Sequence, residues 1–118
     1  MRTAILYLRV ETEAEKSDLF KQSIDAVQFY ADMPLMAVFV TQEISILPPL
    51  QRPEFSKLIE ELRTGKRTTS YIIVPKWNTL SNNPKEALYW IKLFNKIGIS
   101  VLCIESINDA RRQKKQQS

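Results

Sequence analysis

The chain has 118 residues, of which 44% are hydrophobic and 25% charged, with a net charge of +4. This length supports one domain with a real core and is too short for two. Histidine is absent, which removes the usual general base, the commonest metal ligand and the physiological-pH switch together.

No apolar run approaches the roughly 18 residues of a membrane span, and Ala4 to Leu8 is too short for a secretory signal, so a cytoplasmic protein without membrane contact is expected. The charge is unevenly placed: Arg111, Arg112, Lys114 and Lys115 fall near the end. Residues 108–118 therefore read as a basic tail that does not fold, and residues 1–107 as the domain.

Thr3 to Val10 reads as a first strand, a continuous apolar run of the kind buried on both faces of a parallel sheet. Ligands in such folds sit beyond the carboxyl ends of the strands, which places Arg9 and Glu11 at a site. An acidic connection without glycine follows, and Ser17 can cap a helix with Leu19, Phe20, Ile24, Val27 and Tyr30 at helical spacing, ending near Asp32. Leu35 to Val40 is a second strand. Thr41 to Gln51 reads as irregular, a surface loop or lid stiffened by Pro48 and Pro49.

Pro53 opens a second helix with the stripe Phe55, Leu58, Ile59 and Leu62, and Gly65 ends it. Ser70 to Pro75 is a third buried strand. Asn83, Pro84 and Glu86 combine an N-cap, a first-turn proline and a capping-box acid, starting a third helix that runs to about Ile97 before Gly98. Ile99 to Ile104 is a fourth strand, and its single cysteine, Cys103, reads as a small buried core residue.

The alternation gives a three-layer α/β/α open sandwich with a mostly parallel four-stranded sheet in the order 2-1-3-4. The third helix is apolar over more than one face, and Tyr89, Trp90 and Leu93 are candidates for a protein partner or self-association.

Several stretches together resemble the N-terminal catalytic domain of the serine recombinases, the resolvase and invertase family. They are Tyr7-Leu8-Arg9-Val10, Leu19 to Gln22, Arg52-Pro53-Glu54-Phe55 with Leu58, Leu80-Ser81, and Asn83 to Ala87. The resemblance covers about residues 1 to 107 and implies a resolvase-like fold and a setting in DNA recombination. Against the family pattern, Glu11 stands where the nucleophilic serine is found. Thr41 and Glu43 to Ile46, including Ser45, replace an aspartate and a Gly-x-Ser-Gly turn. Asn78, Thr79 and Asn82 replace an aspartate and two arginines, leaving Arg9 and Arg52 of the charged site.

Family chemistry attacks a phosphodiester with a hydroxyl and stabilises the developing charge with guanidinium groups. On that ground the chain is expected not to be an enzyme, its site residues being vestigial. The expected role is a binding or regulatory module in DNA recombination. Glu11 is expected to pair with Arg9, Arg52 or both, in the place of the scissile phosphate. Two alternatives are non-specific DNA association through Arg111, Arg112, Lys114 and Lys115, and residual strand-exchange activity. No metal and no cofactor is expected; three glutamates and the lack of a glycine after the first strand disfavour a nucleotide.

Overall fold

The computed structural model describes residues 2–117, and side chains through residue 112. Its centre is β1 (Arg2–Val10), in which Ala4 to Val10 are all buried. Such burial on both faces requires neighbours on both edges and layers above and below. β2 (Leu35–Ile44) and β3 (Tyr71–Val74) pair with β1, and β4 (Ser100–Cys103) pairs with β3, all parallel. The order is the expected 2-1-3-4.

Strand alternation divides β1 between two cores. Ile5 and Tyr7 join Phe55 and Leu58 of α2 (Pro53–Arg63) and Ala87, Trp90 and Phe94 of α3 (Pro84–Lys96). Ala4, Leu6, Leu8 and Val10 join Leu19 and Ala26 of α1 (Lys16–Tyr30), with Ile104 of α4 (Ile104–Gln117) packed against them. Two helices thus cover each face. Among the described residues, no helix is long and apolar enough to cross a membrane.

The local signals act where expected in the second half of the chain. The Asn83 side chain accepts from the Lys85 backbone N–H at 3.0 Å at the start of α3. Gly65 and Gly98 follow their helices with φ of 76° and 84°, the left-handed region that a residue with a Cβ enters only at a cost. Cys103 is buried, and burial pushes its thiol pKa up.

Four expectations differ. α1 begins at Lys16, after a 3-10 turn at Glu13–Glu15, so Ser17 is not its cap. β2 continues through Ile44, so Thr41 to Ile44 is strand rather than loop. The chain beyond residue 107 continues as α4, in place of an unstructured tail. Trp90 lies in the core, its ring meeting Phe55 edge-on at 5.1 Å; it is not available to a partner, whereas Tyr89 is exposed and Leu93 half-buried.

The Asn83 cap gives a first test. Asn83→Ala is expected to lower stability by about 1 kcal/mol, read from denaturant unfolding, with no change in the spectrum of the folded state.

Candidate functional site

The carboxyl ends of β1 and β2 meet the start of α2 and the turn that follows β3. Arg9 is in register with Glu43 across the β1–β2 pair. Its side chain is 4% exposed, so the guanidinium has exchanged water for protein acceptors. Nε donates to the Thr79 carbonyl at 3.1 Å, Nη1 to the Ser45 carbonyl at 3.1 Å, and Nη2 to the Asn78 carbonyl. Asn82 Oδ1 lies 3.5 Å from Nη2, at the limit of a hydrogen bond.

Arg52, also buried, stands just before α2. It donates from Nε to the Leu47 carbonyl at 2.8 Å and from Nη1 to the Thr79 carbonyl at 3.0 Å. The two guanidinium groups therefore share one acceptor. Burial, and next the nearby Arg52 charge, lower the Arg9 pKa, yet an arginine stays protonated at any ordinary pH.

The remaining sequence-predicted positions fall into place around this pair. Glu11 is half-exposed, with its Oε1 3.9 Å from Arg9 Nη1 and accepting from Asn82 Nδ2 at 3.2 Å. Its ion pair is with Arg9 and not Arg52. Ser45 contributes its carbonyl to Arg9, while its hydroxyl accepts from the Leu47 N–H at 3.0 Å. Asn78 and Thr79 likewise serve through main-chain oxygens. Thr41 is not brought to Arg9; it lines a separate cavity with Glu54, Lys57 and Arg67. Beside the arginine pair lies a cavity of about 250 Å³, lined by Arg9, Glu11, Glu15, Asp18, Gln22 and Lys76.

A residue that sequence reasoning gave no role is Glu43. Its carboxylate is buried and accepts from the Tyr7 hydroxyl at 2.5 Å, the Glu54 N–H at 2.9 Å and the Phe55 N–H at 3.2 Å. An anion at the first turn of α2 satisfies orphan backbone donors and complements the helix dipole. Desolvation, and then the hydrogen bond to Glu43, push the Tyr7 phenol far above its usual range. The signal that reveals Glu43 is register: a strand continued through Ile44 puts it beside Arg9 on the α2 side.

The basic residues of α4 are engaged locally. Arg112 Nη1 is 3.7 Å from Asp109 Oδ1, and the Arg111 guanidinium sits 5.8 Å from the Phe29 ring centre. The side chains of Lys114 and Lys115 lie outside the described residues.

The fold and site together define a parallel α/β domain with a buried arginine pair beyond the carboxyl ends of its strands. The chain belongs to the family described as Resolvase, N terminal domain, whose model matches residues 4–117. This is a DNA-recombination family of serine recombinase type.

The fold is similar to that of the C-terminal catalytic domain of ISC1926 TnpA, an IS607-like serine recombinase, at 20% identity and TM-score 0.74 over 86% of this chain and 67% of that one. It is similar to the N-terminal catalytic domain of TP901-1 integrase, at 16% identity and TM-score 0.72 over 98% of each chain. A resolvase family site-specific recombinase from Streptococcus pneumoniae matches at 18% identity and TM-score 0.74, over 99% of this chain and 89% of that one. No curated protein matches the chain.

Family membership corrects the expectation that the chain is not an enzyme: resolvase-family catalytic domains are recombinases. Side-chain identities at Glu11, Asn78, Thr79 and Asn82 do not outweigh a match across almost the whole domain.

The Tyr7–Glu43 bond yields a pH prediction. Because the folded-state pKa of Tyr7 is raised, the folded form holds its proton more tightly than the unfolded chain. The resulting stability is fully present below the unfolded value of about 10 and declines as pH rises above it. Tyr7→Phe is expected to cost about 1 kcal/mol at neutral pH and to make the alkaline decline shallower than in the native chain, as measured by urea unfolding from pH 7 to 11.

Proposed function

We propose that the domain works in DNA recombination as a regulated subunit of a recombinase assembly, with a phosphate-facing site around Arg9 that is closed in the isolated chain. The carrying observation is the occupancy of the guanidinium donors: Arg9 spends its Nε and both Nη groups on main-chain carbonyls. Arg52 spends two donors in the same way. A DNA phosphate accepts charge-assisted hydrogen bonds more strongly than a neutral carbonyl does. It can reach Arg9 only if the turn at residues 77–82 or the segment at 45–47 gives way. Opening of those segments is then the regulated step, coupled to engagement of DNA and neighbouring subunits.

Glu11 acts as the gate charge. Its half-exposed carboxylate lies at the mouth of the site, where it repels an approaching phosphate and holds Asn82. A reading in which α4 alone binds DNA is weaker, because Arg112 already pairs with Asp109 and Arg111 packs on Phe29.

Two measurements test the proposal. Supercoiled plasmid DNA at low salt is expected to raise hydrogen exchange in residues 45–51 and 77–82 of the full chain; unchanged exchange in both segments at saturating DNA would overturn it. Glu11→Gln is expected to tighten DNA binding several-fold in a gel shift, with the gain shrinking as salt rises. Equal binding by Glu11→Gln and the native chain at low salt would count against the gate.

A further inference from the structure

One end of the sheet carries apolar surface that the described residues leave largely open, with the Arg67 guanidinium over the Phe39 ring. Along α1, Leu19 and Ala26 point into the core. Phe20, Ile24 and Val27, spaced four and three residues apart, form a second apolar stripe on one flank of the same helix. Phe20 is 71% exposed and the other two are almost half exposed. The opposite flank is the occupied one, since Phe29 meets Arg111 of α4, and Gln22 and Asp25 line a cavity with Ile104 and Asn108. Because α4 follows β4 at one end of the sheet, the bare flank of α1 faces the other end, where β2 is the last strand.

β2 itself lacks the features that protect an edge. It is ten residues long, Leu-Met-Ala-Val-Phe-Val-Thr-Gln-Glu-Ile, with no proline, lysine or arginine. Its single charge, Glu43, is turned inward to Tyr7 and α2. Met36, Phe39 and Val40 are about half exposed or more. Val40 is in register with Leu6 and Val38 with Ala4, which places both valines on the α1 side of the sheet. Long, apolar, uncharged edges pair with another strand unless something blocks them.

We propose that this edge is a contact between two copies of the chain, with β2 pairing antiparallel to β2 of the second copy about a two-fold axis through Phe39. Three features commit the surface to a second copy. The strand is its own complement: Val38 comes opposite Val40 of the second copy on the α1 side, and no charge borne by β2 meets a like charge across the axis, Arg67 reaching the Phe39 ring from outside the strand. The α1 stripes of both copies flank the join on one face of a continuous sheet. The exposed area of Phe20, Ile24, Val27, Met36, Phe39 and Val40 amounts to roughly 700 Å² per copy, close to the about 800 Å² per partner of a standard interface. This contact goes beyond the proposed function and does not rest on it.

Sedimentation of the full chain over a range of concentrations is the test. A dimer forming in the micromolar range is expected. Val40→Lys and Ile24→Lys, both at exposed positions, are each expected to raise its Kd at least tenfold without changing the circular dichroism spectrum, whereas Tyr89→Lys on the other face is expected to leave it unchanged. Phe39→Cys, on the axis, is expected to give a disulfide-linked dimer under mild oxidation, because facing Cα atoms in an antiparallel pair lie about 5 Å apart. A chain that remains monomeric at all concentrations, or a dimer that both lysine substitutions leave intact, would overturn the proposal.

Discussion

The Arg9 guanidinium is a charge buried at the end of the most buried strand, and burial of a charge is tolerated only when its donors are met. The acceptors are carbonyls from two separate connections, at Ser45 after β2 and at Asn78 and Thr79 after β3. One side chain thereby fixes the relative position of three strand ends. Arg52 adds the start of α2 to the same assembly through Thr79. Two positive charges near one neutral oxygen repel each other, and the arrangement persists because the carbonyl dipoles and the inward-facing Glu43 offset that repulsion.

Glu43 connects this polar cluster to the apolar core. Its carboxylate holds Tyr7 on one side and the first backbone N–H groups of α2 on the other. The Tyr7 ring in turn packs at 5.3 Å from Phe55, which meets Trp90 and Phe94 of α3. The aromatic cluster and the charged site are therefore one continuous structure. A buried carboxylate without those three donors would be an unpaired charge in the core, so α2 owes its seat on β2 partly to this contact.

Most of the fold was legible in the sequence because it depended on side-chain pattern. The unbroken apolar run of β1, Pro53 at the start of α2, the Asn83 cap and the two glycines each carried a local physical cause that the fold kept. The site was less legible because it is built from main-chain oxygens. Asn78 and Thr79 looked like losses when judged as side chains, whereas their carbonyls are what the arginines hold. Glu43 was missed because Thr41, Gln42 and Glu43 interrupt the apolar pattern of β2, so the strand seemed to end at Val40. The lysines and arginines near the end suggested an unfolded tail, yet Ile104 packs on the α1 side of the sheet and anchors a helix. The enzyme expectation failed for a related reason: it weighed a few positions, while membership in the family rests on the whole domain.

β2 links these features along a single element. Its last residues hold the site, through Glu43 and the adjoining Ser45 carbonyl, and its middle forms the uncovered edge of the sheet. A parallel strand hydrogen-bonded along its whole inner side to β1 moves as a unit, since sliding any part of it breaks the register of the rest. Any coupling between the outer side of β2 and Glu43 or Ser45 would run along this strand, without passing through the core. Coupling of this kind requires that β2 have two arrangements of similar free energy. The register irregularity between Arg2 and Thr3 of β1 lies opposite Leu35 and Ala37, at the amino end of β2. The rest of the pair, up to Val10 and Ile44, keeps an unbroken register, so the Arg9 end carries no such irregularity.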